Sequence, residues 1–354
     1  MKKLKFLLSV GLIPMFLLIN YVKPSNAIFE KYYSNLFYPL ISEKLRYITS
    51  WVTFSVGDVL YLLLVISVFY FFLIDKNRLA DKIINLGSSL FILIFLFYFF
   101  WGFNYKRIAI KDHLNIKDNF DKEELINFTE NIIDEINSKH RLLFNHDSIR
   151  PKNIYSFEEN IKISKTNTKK LSSIFNKSLL NSNYKNSSVK KSLFSLPLTY
   201  MGFSGYINPF TNEANINSKI PSTSLTFVIN HEIAHQLGIA SEKDANFISY
   251  LLLINSDNQY HKYCGLSYAL RLCLNELYKT DKIKYQILLG KVNKGIIKDY
   301  VKINDFWKKH EGKIEEVSKK SYDLYLKQNN IETGLNNYNE SISLILNFKN
   351  FINE

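Results

Sequence analysis

Cysteine is scarce. Cys264 and Cys273 are the only two in 354 residues. They lie nine positions apart in an apolar segment with a helical pattern, about 13 Å along a helix axis. That is too far for a disulfide, so both are expected as small core residues, and cysteine usage gives no sign of compartment. Arginine-rich stripes interleaved with aromatics are also missing. The net charge of +13 comes from lysines spread along a chain rich in Lys, Asn and Ile, which argues against a nucleic-acid partner. No internal repeat is present.

Charge is missing from three apolar runs, at about residues 5–21, 59–74 and 84–103. Each approaches the length needed to cross a bilayer. The first follows Lys2, Lys3 and Lys5, and Ser25-Asn26-Ala27 offers a loose signal-peptidase site after it. The second and third predict a multi-pass protein with or without cleavage. Lys76, Arg78 and Lys82 in the short connection, with the basic N-terminus, place those ends on the cytoplasmic side. An external loop 22–58 and everything after residue 104 then lie outside. Lys106 and Arg107, and Lys23, Lys31, Lys44 and Arg46 in the loop, run against that rule. Aromatics in the loop, such as Tyr32, Trp51 and Phe54, suit a membrane interface. No run carries an ionisable residue in its middle, as a transport path would require, so the spans are read as an anchor.

Beyond residue 105 the pattern is mostly helical. Leu125, Ile126, Phe128, Ile132, Ile133 and Ile136 mark one amphipathic face. Residues 160–192 are rich in Lys, Ser and Asn and read as a short helix among solvated loops. Phe203 to Asn217, with Gly205, Pro209 and Asn212, reads as strand and turn. Helices return from Leu225 to the end.

The chemistry concentrates at His231-Glu232-Ile233-Ala234-His235. On a helix, two histidines four apart project from one face, which suits two imidazole ligands on one zinc ion. Glu232 is placed to take a proton from the water that the zinc activates. Such a motif arises by chance in about one chain in a hundred of this length. A third ligand is needed, and Glu242 is the expected one. A straight helix would carry it about 10 Å past His235, so the chain must bend. Gly238 suits a helix-ending residue, and Ser241 with Asp244 suits a new N-cap. Asp244 is the competing ligand, and both carboxylates also suit a helix N-terminus electrostatically. For the oxyanion, Tyr263, Tyr206 and His261 are candidates in falling order. His113, His140, His146 and His310 are read as surface or helix residues.

At these residues the sequence resembles the bacterial membrane proteins grouped as domain of unknown function 3810. The likeness covers His231-Glu-x-x-His235-Gln-x-Gly238 and Ala240-Ser241-Glu242-x-x-Ala245-Asn246-Phe247. It extends to Phe54-Ser55-x-Gly57-Asp58, Trp101-Gly102-x-Asn104-Tyr105-x-Arg107, Met201 to Ala214, and Tyr322-Asp323-x-Tyr325-Leu326. Glu242-x-x-Ala245-Asn246 is also similar to the Glu-x-x-Ala-Asp of membrane gluzincin peptidases. That likeness implies Glu242 as third ligand and a last residue that orients a histidine. Here Asn246 replaces the Asp, and an amide lacks the charge that raises ligand basicity.

The expectation is a mostly α protein of two regions. Residues 1–104 carry three transmembrane helices, and 105–354 form a zincin-like α+β domain with a short edge-strand sheet. Glu213 to Asn217 is the expected edge strand that pairs with an extended substrate. The expected function is a membrane-anchored, zinc-dependent metallohydrolase, a peptidase acting on a peptide or protein outside the cytoplasm, at the bacterial inner membrane. The alternatives are a catalytically inactive zinc-binding scaffold or sensor, and a small-molecule transporter. An intramembrane protease is disfavoured, because Asn230, Gln236, Ser241, Lys243 and Asp244 make the motif region too polar for lipid.

Overall fold

The structure, a computed structural model, describes residues 2–21, 26–73, 78–117, 119–175, 184–329 and 341–353. Ser25, Lys23 and Lys76, which entered the cleavage and orientation readings, lie outside them. Helices take 76% of the fold. The first are α1 (Lys2–Tyr21), the single turn α2 (Asn26–Ile28), a π-helix (Phe29–Phe37), α3 (Tyr38–Ser50), α4 (Val56–Leu73) and α5 (Leu79–Phe100). A 3-10 turn (Gly102–Lys106), α6 (Ile110–Leu114), α7 (Lys122–Phe144), α8 (Phe157–Thr168) and α9 (Leu171–Ile174) follow. After strand β1 (Val189–Lys191) come α10 (Ser195–Met201), β2 (Gly205–Ile207) and β3 (Ala214–Ile216). The rest is α11 (Ser222–Gln236), α12 (Glu242–Ile254), α13 (Gln259–Thr280), α14 (Lys282–Lys291), α15 (Lys294–His310), α16 (Lys313–Gln328) and α17 (Ser341–Asn353).

By length and composition one described helix, Leu79–Phe100, can cross a membrane, and Val56–Phe71 is a shorter apolar helix. Three spans were expected; the plain result is one clear candidate. Helix α1 lies against α5 with the two running parallel. Lys2 pairs with Asp81, Lys5 donates to Asn85, and Gly11 receives the Phe91 ring. Gly87 fits against Ser9, where an added Cβ would come within 2.2 Å of the hydroxyl.

The metal-motif helix α11 sits at the centre of the core. It packs on α12, α13, α8 and the sheet, and Ile229, Ile233 and Ala234 are fully buried. Capping boxes at Asp121/Glu124 and Ser156/Glu159 start α7 and α8 by satisfying N–H groups the helix cannot. Helix α8 is less solvated than its composition suggests. Its Asn160 accepts from Thr226 at 2.7 Å, and Ser164 accepts from Asn230 at 2.9 Å. Lys190, expected on a wet face, is buried in β1 and donates to the Val52 carbonyl.

The sheet order is β1-β3-β2, with β1 parallel and β2 antiparallel to β3. This corrects the edge-strand expectation. The segment Ala214–Ile216 is the central strand, paired on both sides and buried along its length. The two edges are β1 and Gly205–Ile207.

The segment expected as an external loop is also part of the domain. Arg46 on α3 is buried and donates to Asn212 at 2.7 Å, the Gln236 carbonyl at 2.9 Å and the Asn186 carbonyl at 3.0 Å. Glu213 accepts the backbone N–H groups of Val56 and Gly57, capping α4. Residues 29–58 therefore fold with residues 105–354 rather than with the apolar helices alone. A loop reading missed this because the buried face of α3 is polar: Ser42, Arg46 and Thr49 point inward.

Candidate metal centre

Two helix signals in the sequence build this site. Helix α11 ends in a Schellman turn. Gly238 has φ +88°, its N–H bonds the His235 carbonyl at 2.8 Å, and the Ile239 N–H bonds the Ala234 carbonyl at 3.2 Å. Only glycine adopts that backbone without strain. Ser241 then caps α12 by accepting the Asp244 N–H at 3.4 Å. The tight reversal returns Glu242, in the first turn of α12, to the face carrying His231 and His235.

The three side chains converge, with one ligand atom from each lying within 4.8 Å of the others. The two Nε2 atoms are 3.1 Å apart. Glu242 places Oε2 3.1 Å from His231 Nε2 and Oε1 3.8 Å from His235 Nε2. Ligands about 2.05 Å from one tetrahedral ion stand about 3.3 Å apart, so the spacing fits zinc. His235 Nδ1 meets the Ile239 carbonyl at 2.6 Å, which leaves Nε2 as the nitrogen with the lone pair. A buried carboxylate oxygen of Glu232 has no hydrogen-bond partner, and Glu242 Oε2 has none beyond its contact with His231, as expected of groups that face a ligand rather than the protein.

The electrostatics are those of a buried, coupled cluster. Burial would raise the Glu242 pKa, but the imidazoles outweigh it and hold the carboxyl at about 2. Burial pushes Glu232 up to about 8, and the charge of Glu242 adds to that. Burial lowers His235 to about 4. It would lower His231 too, but its contact with Glu242 reverses the direction. The Asn246 side chain lies against His231 and favours its charged form.

The C-terminal end of α11 is held by residues remote in sequence. Tyr38 donates to the His235 and Gln236 carbonyls at 3.3 and 3.2 Å, and Arg46 reaches Gln236. Arg107 reaches the Leu237 and Gly238 carbonyls and pairs with Glu30 at 3.3 Å. Two guanidinium groups at a helix C-terminus complement its negative end. Arg46 and Arg107, two of the basic residues that run against the orientation rule, serve the domain's interior instead.

A cleft of about 920 Å³ opens over the three ligands and Glu232. The edge strand β2 lies along it, and Gly205 approaches so closely that an added Cβ would come 2.6 Å from Glu232 Oε1. Asp244 does not join the cluster. Its carboxylate accepts the Ile110 N–H at 3.3 Å, capping α6. Tyr263, first among the oxyanion candidates, is corrected. Its ring is stacked near His140 and against Phe144 in the core, away from the cleft lining. His261 is likewise a core residue, beside Asn167. Tyr206 does line the cleft, with its hydroxyl bonded to Asp58.

Tyr322 on α16 was missed as a site residue. It lines the cleft and donates to Glu242 Oε1 at 2.5 Å. The signal lay in the Tyr322-Asp323-x-Tyr325 motif, but nothing local ties it to a carboxylate 80 residues away. Phe227 and Tyr268, stacked at 3.8 Å, and Arg271 complete the far wall.

Neither a search of curated proteins nor a search of solved structures found a match to the chain. The family model described as "Protein of unknown function (DUF3810)" matches residues 33–346, which takes in α3, both apolar helices after it, the cleft and the cluster of His231, His235 and Glu242, and the chain belongs to that family.

Proposed function

We propose that the protein is a membrane-anchored, zinc-dependent metallohydrolase, and specifically a peptidase. The observation that carries the reading is the convergence of His231, His235 and Glu242, with Glu232 buried beside them, at the floor of a cleft bordered by an edge strand. His231, His235 and Glu242 would hold the zinc ion, which when bound would supply Lewis acidity and lower the pKa of water towards neutrality. Glu232 takes the proton of the attacking water and delivers it to the leaving amine. Strand β2 aligns an extended substrate by backbone pairing. Tyr322, whose hydroxyl already sits at the ligand carboxylate, turns to the developing oxyanion in place of Tyr263.

Anchoring rests on the apolar helices. The outward faces of α1, α4 and α5 expose large apolar side chains, among them Phe6, Ile13, Leu63, Phe69 and Ile92, and such surface is covered by lipid in a folded protein. Parallel packing of α1 on α5 fits both N-terminal ends on the cytoplasmic side, with the cleft outside. A retained α1 also fits better than a cleaved leader, because it packs on α5.

The test is metal analysis and peptide cleavage on the full chain in nanodiscs. About one zinc per chain is expected. Glu242→Ala should lose it, and Glu232→Gln should keep it while losing cleavage. Equal cleavage by wild type and Glu232→Gln would reject the reading. Zinc with no turnover in the wild type would favour the inactive scaffold, to which the uncharged Asn246 beside His231 lends support.

A further inference from the structure

The cleft's walls identify its substrate. Apart from the four groups at the metal floor, Arg271 is the one charged side chain among the described residues lining it. The remainder is largely aromatic and aliphatic, including Phe97, Trp101, Met201 and Phe210. A charged substrate side chain would lose its hydration there and find few partners, whereas an apolar one gains by burial.

The apolar helices themselves form part of this wall. The first turn of α4 is fixed in the domain: Asp58 accepts from the Leu193 N–H at 2.6 Å and Ser192 Oγ at 2.9 Å. One turn later Tyr61 lines the cleft, stacked on Tyr206 of the edge strand at 6.2 Å. The next two residues, Leu62 and Leu63, are 48% and 55% exposed. The passage from domain interior to cleft wall to outward apolar surface therefore takes five residues. At the C-terminal end of α5, Phe97 lines the cleft and packs on Tyr325, and Trp101 just beyond it packs on His235.

An independent feature places this end of the molecule at a membrane surface. The π-helix and α3 bury one face, with Tyr33, Tyr38, Ser42 and Arg46. The opposite face exposes Leu36, Leu40, Ile48 and Trp51, the last at 75%. An amphipathic segment of this kind lies in the plane of the headgroup layer. The π-helix packs on the end of α5 nearest the cleft, with Tyr33 donating to the Phe99 carbonyl at 3.0 Å.

We infer that the cleft takes an apolar segment of a polypeptide that is itself held in the membrane, entering from the side of α4 and α5. The inference rests on the peptidase reading above. The free edge of β2 favours a polypeptide over a lipid, since only the former has a backbone to pair with it.

Two quenched-fluorescent peptides test this, each with Phe-Leu flanking the scissile bond. One is soluble, and the other continues into a 20-residue Leu/Ala transmembrane segment. With zinc-loaded full chain in nanodiscs, the tethered peptide should be cleaved at least tenfold faster at equal concentration, and Asp in place of Phe-Leu should abolish the difference. Equal rates, or faster cleavage of the soluble peptide, would overturn the inference and leave the peptidase reading intact. Binding is read apart from turnover with Glu232→Gln, by photocrosslinking from a benzoylphenylalanine at the Phe position. Crosslinks from the tethered peptide to α4, α5 or β2 support the inference even if hydrolysis fails. Crosslinks to those elements from a diazirine fatty acid alone would assign the cleft to lipid.

Discussion

Gly205→Ala offers a sharp test of how the edge strand and Glu232 fit together. A Cβ at residue 205 would lie 2.6 Å from Glu232 Oε1, 3.0 Å from its Cδ and 3.0 Å from the Asn215 carbonyl oxygen. Ordinary contact begins at 3.4 Å, so the carboxylate or the strand must give by about 0.8 Å. The strand is held by its pairing to β3, and the glutamate is closed in by burial, so both resist. Overpacking of this kind costs about 1–3 kcal/mol of stability. Displacing a proton-transfer group by nearly 1 Å costs about 100-fold in turnover. The ligands are untouched, so zinc content should stay at the wild-type level. The measurements are zinc stoichiometry, melting temperature and kcat on a cleavable peptide. A folded, zinc-replete Gly205→Ala protein with wild-type kcat would refute the placement of Glu232 against β2 as the catalytic arrangement.

Tyr322→Phe removes the hydroxyl at Glu242 without changing ring packing, and kcat should fall about 100-fold with KM nearly unchanged; an unchanged kcat would return Tyr322 to a structural role. Arg46→Met leaves Asn212 and two carbonyls short of a donor, one of them at the end of α11, and should lower stability by about 3 kcal/mol. Denaturant titration of the solubilised protein reads that loss, and zinc should dissociate in the same transition. Burial holds His261 neutral down to about pH 4, against an ordinary value of about 6.5. The unfolded chain therefore binds more protons between those values, and stability declines as pH falls through that window. The loss reaches about 3 kcal/mol at its lower end. His261→Gln should flatten that part of the melting temperature–pH profile, and an unaltered slope would assign it to other groups.

The convergence of His231, His235 and Glu242 was legible because each part has a local cause. The i, i+4 spacing puts His231 and His235 on one face, and Gly238 and Ser241 announce a helix end and a helix start on either side of a turn. That alone brings Glu242 back, without knowledge of the tertiary fold. Strand order was not legible. Gly205–Ile207 and Ala214–Ile216 are similar short segments, and only the distant β1 decides which becomes central. The oxyanion candidate failed for the same reason. Tyr263 was nearer in sequence, but α13 turns it towards α7, while Tyr322 arrives from α16. Residues 29–58 were misread because inward polar groups such as Glu30 and Arg46 look like solvent-facing ones until their partners are known. The apolar runs at about 59–74 and 84–103 overlap α4 (Val56–Leu73) and α5 (Leu79–Phe100), since composition alone marks an apolar helix, and α5 is the one long enough to be a clear span candidate among the described residues.

The grip of Tyr38, Arg46 and Arg107 on the last turn of α11 has a consequence for how the protein can be divided. These residues flank α4 and α5 in the chain, two before them and one after. The tail of the histidine-bearing helix is therefore held by segments on both sides of the two apolar helices. A fragment begun at residue 105 would carry every ligand yet lack Tyr38 and Arg46. The end of the helix that carries His231 and His235 is thereby tied to residues on both sides of the apolar helices.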